Sequence, residues 1–190
     1  FDVGRDPALY APRREVTRLF FQEGGTLIDT SPMYGRAERA TGDFLRDLSL
    51  QDKAFIATKV WTRGRRAGIA QMTESMRLLR TERIDLMQVH NLIDTRTQLR
   101  TLRAWKDEGK IRYIGITHYS TSAFGELAEW IKREPIDFIQ YPFSIAVRDA
   151  ERWFMPFCAD RGVATLVHRP YENGAMFRAV RGKGKPEWLA

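Results

Sequence analysis

The apolar positions of the chain follow two patterns in alternation. The runs TLIDT (26–30), AFIATKVW (54–61), IDLMQVH (84–90), IRYIGIT (111–117), IDFIQY (136–141) and VATLVH (163–168) are short and nearly continuous, as buried strands are. Between them the apolar residues return at helical spacing. Val16, Leu19 and Phe20 share one helical face, stopped by Gly24 and Gly25, and Ile69, Met72, Met76 and Leu79 share another. Leu99, Leu102 and Trp105 form a third, ended by Gly109. Phe124, Leu127, Ala128 and Ile131 form a fourth, with Ser120 or Thr121 as its N-cap. A last helix is expected from near Ala150 to Arg161, stopping at Gly162. Trp105, Trp130 and Trp153 lie on these helices and are expected to pack helix against sheet.

Strands alternating with helices imply parallel pairing through right-handed crossovers. The repeat of about 25–30 residues is close to the unit of an eight-fold β/α barrel. A doubly wound open sheet alternates in the same way, so the strand ends carry the choice. Asp29, Lys59, His90, Thr117, Gln140 and His168 stand at or near the C-terminal ends of successive strands. In a closed barrel such ends converge on one mouth, whereas in an open sheet they spread along an edge. The expected fold is an α/β (β/α)8 TIM barrel represented by about six βα units, forming one domain over residues 1–190. An eight-stranded barrel needs one strand before residue 1 and another after residue 190. Their loss opens one gap with two exposed sheet edges, and such edges invite self-association. The missing initiator methionine fits a chain that begins partway through a longer protein. The tail from Asn173 to Ala190 is rich in glycine and charge, and PEWLA (186–190) reads as the start of a further helix.

Composition changes this picture little. With 43% hydrophobic and 12% aromatic residues, the 190-residue chain has enough apolar material for a core. The net charge of +7 and pI near 9.8 raise the question of an anionic partner. The densest basic runs, Arg63, Arg65 and Arg66 and then Arg178, Arg181, Lys183 and Lys185, read as solvated loops. No aromatic residues interleave with them as a nucleic-acid surface requires, so no nucleic-acid partner is expected. The single cysteine, Cys158, follows Phe154 and Phe157 and reads as a packed thiol. A lone cysteine fits a reducing, cytoplasmic setting. No apolar run reaches the ~18–20 residues of a membrane span, and FDVGRDPALY lacks the basic-then-apolar order of a signal peptide.

The polar strand ends suggest chemistry. Asp29 and Lys59, on adjacent strands, can pair inside a barrel mouth. A lysine ammonium near the Tyr34 hydroxyl would favour the phenolate and lower the tyrosine pKa, making Tyr34 a proton donor closer to neutral pH. His90, at the next strand end, can orient a carbonyl oxygen. These groups contain no hydride source, so reduction would need a cofactor. Taken singly, each has a plainer reading: Asp29 a loop carboxylate, Lys59 a solvated ammonium, Tyr34 the packing of a Pro-Gly turn, His90 a hydrogen-bonded core imidazole. Their occurrence together, in order at successive strand ends, favours the catalytic reading.

The stretches IDTSPMYG, IATKVW, DLMQVHN, EGKIRYIG, YIGIT and FIQYP stand in the order and at the spacing of the aldo-keto reductase family, which the sequence resembles from about Glu15 to Pro170. The resemblance implies a β/α barrel that binds NADPH without a Rossmann motif, and no G-x-G-x-x-G loop occurs here. It implies that Tyr34 is the general acid, Lys59 its pKa partner, Asp29 the holder of Lys59, and His90 the group orienting the substrate carbonyl. Thr117 and His118 stand where the family has a serine and an asparagine gripping the nicotinamide carboxamide, and Gln140 matches a glutamine at the same group. His168 falls where an aromatic ring usually stacks on the nicotinamide, with Arg169 beside it among the cofactor contacts. Trp61 would line the substrate pocket. The family's opening and closing strands are absent from the chain, including much of the grip on the cofactor's phosphates. NADH therefore stays open beside NADPH, and the 190-residue form is expected to turn over negligibly.

Two other functions use the same residues. A regulatory or sensing subunit on this scaffold would bind cofactor with little turnover. A barrel metallohydrolase would use His90, His118 and His168 as zinc ligands, although the sequence has no H-x-H pair. The expected partner is a small-molecule carbonyl compound. The sequence does not indicate an oligomeric state.

Overall fold

All six apolar runs become strands, and each helix between them returns the chain in the same direction. A computed structural model describes residues 1–4 and 6–185; the PEWLA segment, expected to begin a helix, lies outside them. The strands are β1 (Leu27–Asp29), β2 (Phe55–Val60), β3 (Ile84–His90), β4 (Ile111–Thr117), β5 (Phe138–Pro142) and β6 (Ala164–His168). They form one parallel sheet in the order β1-β2-β3-β4-β5-β6. The helices are α1 (Pro7–Gln22), α2 (Ala37–Leu48), α3 (Arg65–Leu79), α4 (Thr95–Asp107), α5 (Phe124–Arg133), α6 (Phe154–Asp160) and α7 (Ala175–Val180). Asp6 caps α1 by accepting from the Ala8 N–H at 3.0 Å. Ser120 does the same for the short 3₁₀ turn that leads into α5.

The barrel-or-open-sheet question is decided by one contact. In a flat sheet β1 and β5 would lie four strand spacings apart, about 19 Å. Yet Gln140 on β5 donates to Asp29 on β1 at 3.0 Å, so the sheet must curl until those ends meet. The opposite end of the curl is filled by aromatic rings. Phe55 on β2, Tyr113 on β4 and Phe138 on β5 have centroids 5.3–6.1 Å apart, and they plug the interior below the mouth. Above them the space is occupied by Gln88, and Gly115 makes room for it: a Cβ at Gly115 would lie 2.8 Å from Gln88 Cγ. The arrangement is an incomplete β/α barrel, with β1 and β6 each lacking a second neighbour among the described residues. β6 is accordingly half exposed along its length.

The outer faces of the strands pack on the helices. Met87, Val89, Ile114, Ile116, Ile139 and Tyr141 bury against Met72, Leu99, Leu102, Trp105, Phe124 and Leu127 in one cluster, and three of the four expected helical faces are found there. The α1 face is different. Val16, Leu19 and Phe20 are 40–54% exposed, while Thr17 is buried, Tyr10 packs on Phe44 and Phe21 on the Leu45–Leu79 cluster. The helix docks on α2 through that second stripe, leaving its more apolar side without a cover among the described residues. The single helix expected near 150–161 is a 3₁₀ turn (Asp149–Arg152) followed by α6, with Trp153 between them, 43% exposed and packed edge-on against Phe124, Phe154 and Phe157. Cys158 is fully buried, and burial pushes its thiol up to about 11, so it is a neutral packing group. Among the described residues no helix is long and apolar enough to cross a membrane.

Candidate active site

At the curled sheet's mouth, Lys59 is the centre of a buried cluster. It is 1% exposed, and its ammonium donates to Asp29 Oδ2 at 2.6 Å and to the Thr30 carbonyl at 2.8 Å. Asp29 is held from two more sides: Gln88 donates to Oδ1 at 3.0 Å and Gln140 to Oδ2 at 3.0 Å. Strand alternation explains the convergence. Residues 29, 59, 88, 90 and 140 all fall on the inward phase of their strands, so their side chains meet inside the curl.

Tyr34 is brought over this cluster by the turn after β1. The Ser31 hydroxyl accepts from Met33 N–H at 3.2 Å, and the Ser31 carbonyl accepts from Tyr34 N–H at 3.0 Å. Gly35 takes a left-handed φ of 61° that completes the reversal before α2. The Tyr34 ring centroid lies 5.3 Å from Lys59 Nζ and 6.2 Å from the His90 ring, edge to face. The four residues Asp29, Tyr34, Lys59 and His90 are therefore neighbours.

Their electrostatics correct one expectation. Burial and, secondarily, the Asp29 carboxylate push the Tyr34 hydroxyl above its usual value, with Arg169 opposing. The expected lowering by Lys59 is not what the geometry yields, because Asp29 neutralises that ammonium at contact distance. Lys59 itself is lowered by burial, with Asp29 opposing. His90 is depressed to about 4 by burial and then by Lys59. At neutral pH the site thus holds a protonated phenol beside an uncharged imidazole.

A cavity of about 480 Å³ opens above these groups, lined by Tyr34, His90, Thr117, Gln140, His168 and Arg169 among others. The remaining expected residues fall elsewhere. His118 does not line the cavity: its Nδ1 accepts from Ser120 N–H at 3.1 Å, and its ring stacks on Tyr119 at 4.9 Å. Tyr119 takes the place on the wall. Trp61 is 41% exposed and stands on the rim, 6.2 Å from the His90 ring, its backbone clasped by Gln71. His168 is fixed by a contact between Nε2 and the His118 carbonyl at 3.2 Å. Residues the sequence reading missed are Ser31, Gln88, Asn91, Tyr119 and Asn173. Gln88 had a signal, since it stands two positions before His90 on the same strand face. Among the described residues no three or more His, Cys, Asp or Glu gather closely enough to hold a metal ion. The zinc alternative therefore lacks a ligand set here.

Fold and cavity together define a class: a β/α-barrel protein with a buried ionisable cluster at the C-terminal ends of its strands, where barrel active sites lie. The model of the aldo/keto reductase family matches residues 9–187, and the chain belongs to that family. It is 29% identical over 169 residues to the aldo-keto reductase YhdN of Bacillus subtilis (strain 168), covering 81% of this chain and 50% of that protein. It is 26% identical over 185 residues to the methylglyoxal reductase YeaE of Escherichia coli (strain K12), covering 93% of this chain and 63% of that one. Its fold superposes with a TM-score of 0.81, at 23% identity, on an aldo/keto reductase from Klebsiella pneumoniae crystallised with NADP and acetate, covering 96% of this chain and 66% of that one. The chain thus spans from half to about two thirds of the length of these relatives.

Proposed function

We propose that the chain is the catalytic core of an NADPH-linked reductase of aldehydes or ketones. The observation that carries the reading is the buried Lys59–Asp29 pair standing behind a protonated Tyr34 and a neutral His90 on one cavity wall. A carbonyl oxygen entering there meets two uncharged groups suited to hydrogen bonding, and negative charge developing on it is drawn toward the Lys59 side. Tyr34 then delivers its proton to that oxygen. The raised phenol pKa does not prevent this, because the alkoxide formed is a far stronger base than a phenolate.

The cavity also fits a nicotinamide. A carboxamide needs a donor and an acceptor; Gln140 has committed one amide N–H to Asp29 and keeps its carbonyl oxygen, and Thr117 adds a hydroxyl. Thr117 and Gln140 would hold the carboxamide, and His168 and Tyr119 supply flat surfaces. When bound, the reduced nicotinamide supplies the hydride. The NADP of the Klebsiella structure and the methylglyoxal activity named for the Escherichia coli relative support this direction. A chain of this length, with its sheet open between β1 and β6, is inferred to bind the cofactor weakly and turn over little. We place it in the cytoplasm.

The test uses NADPH oxidation with a reactive aromatic aldehyde by the longest natural form of the protein, beside its Tyr34→Phe variant. A loss of about 10²-fold or more is expected, and equal rates would remove Tyr34 from the donor role. A sensing subunit differs in one respect: it would quench on NADPH titration yet show the same negligible turnover in the longest natural form of the protein.

A further inference from the structure

Ser31 stands two residues past Asp29 and is fully buried. Its hydroxyl has two neighbours: Met33 N–H donates to Oγ at 3.2 Å, and Oγ lies 3.1 Å from His90 Nδ1. Its backbone carbonyl holds the Tyr34 N–H. One serine therefore touches the histidine directly and the tyrosine's turn as well.

A count of hydrogens decides which way the Ser31–His90 bond runs. A hydroxyl has one proton and two lone pairs. Met33 N–H occupies one lone pair. If Nδ1 carried the imidazole proton, it would occupy the second, and the serine proton would be left in a buried position with no acceptor among the described residues. Such an orphaned donor is penalised by its lost hydration. If the hydroxyl donates to Nδ1 instead, every group is matched, and the imidazole proton sits on Nε2. That nitrogen has no protein partner among the described residues, and His90 lines the cavity.

We propose that Ser31 is a positioning residue that fixes His90 as the Nε2–H tautomer, so that the ring offers the cavity a hydrogen-bond donor rather than a lone pair. The distinction matters because a carbonyl oxygen accepts from an N–H and is repelled by a bare ring nitrogen. Burial and Lys59 keep the ring neutral, so the tautomer alone sets what it presents. The consequence for reduction rests on the carbonyl-reductase reading; the tautomer itself does not.

The experiment records imidazole ¹⁵N spectra of the chain at neutral pH with its 3 histidines labelled. The His90 signals are assigned by their disappearance in His90→Gln. The expected pattern is a pyridine-type Nδ1 and a pyrrole-type Nε2. In Ser31→Ala, His90 is expected to move toward the average of both tautomers, with His118 and His168 unmoved, and Ser31→Thr should restore the original pattern. A pyrrole-type Nδ1 in the wild type overturns the proposal, as does an unchanged His90 pattern in Ser31→Ala. Should Ser31→Ala not fold, Ser31→Cys, a much weaker donor of similar size, is read by the same two outcomes. The Tyr34→Phe assay bears on the reductase reading and leaves the tautomer untouched, so the two can fail separately.

Discussion

Lys59 and Asp29 form an ion pair of unequal burial: the ammonium is 1% exposed and the carboxylate 23%, with 2.6 Å between Nζ and Oδ2. Breaking such a pair from the carboxylate side strands a buried charge, whereas removing the lysine leaves a carboxylate that two glutamine amides still satisfy. We expect Asp29→Asn to cost about 3–5 kcal/mol and Lys59→Met markedly less. Urea unfolding of both variants checks the order, and a reversed order would refute it. In Asp29→Asn the Lys59 pKa should fall further, since burial would be opposed only by the smaller effect of Glu38.

His90 makes stability depend on acid. Its folded value of about 4 lies below the ordinary 6.5, so the folded chain binds this proton less well than the unfolded one. The stability this contributes is complete above pH 6.5 and is lost as pH falls toward 4, by about 3 kcal/mol in all. Unfolding free energies at pH 7 and pH 4.5 should differ less in His90→Gln than in the wild type. An equal drop in both would assign the acid loss to other groups.

The proposed donor role of Tyr34 predicts the alkaline side of activity. Its hydroxyl is held above 10.0 by burial and Asp29, so the proton stays available through neutral pH and is lost only beyond the usual tyrosine range. The expected kcat/KM profile for carbonyl reduction is level on its alkaline side up to about pH 10. A break near pH 7 to 8 that is absent from Tyr34→Phe would show that the phenol titrates far lower.

Gly115 is expected to tolerate no side chain. A Cβ there meets Gln88 Cγ at 2.8 Å and the Phe138 carbonyl oxygen at 3.2 Å. Gly115→Ala should destabilise by about 1–3 kcal/mol and loosen Gln88 from Asp29. A thermal unfolding midpoint equal to wild type would show that the interior yields more easily than these distances imply.

The strands and most helices were legible because burial on both faces writes continuous apolar runs, and burial on one face writes a helical stripe. The α1 stripe marks the limit of that signal: apolar periodicity says which side of a helix is greasy, not whether a neighbour covers it. The meeting of Asp29, Lys59, His90 and Tyr34 at one mouth is legible from strand-end position and turn. Gln88 lies within an apolar run, where its only signal is the two-residue spacing to His90, and Ser31 lies within a turn motif whose sequence pattern is set by Pro32 and Gly35. The Tyr34 shift was misread because sequence gives the neighbours of a charge but not the distance at which a third group cancels it. His118 was placed at the right strand end but one residue past the inward phase, and Tyr119 reaches the cavity instead.

The strand order has a consequence for how the chain folds. Every ladder joins strands adjacent in sequence, so the sheet can grow by one βα unit at a time, each step closing only a short loop. The Gln140–Asp29 bond is different: it closes a loop of 111 positions. Refolding followed by far-ultraviolet ellipticity is expected to run ahead of refolding followed at the mouth. The Lys59–Asp29 cluster would then be among the last parts to assemble, and its formation would report that the curl is complete.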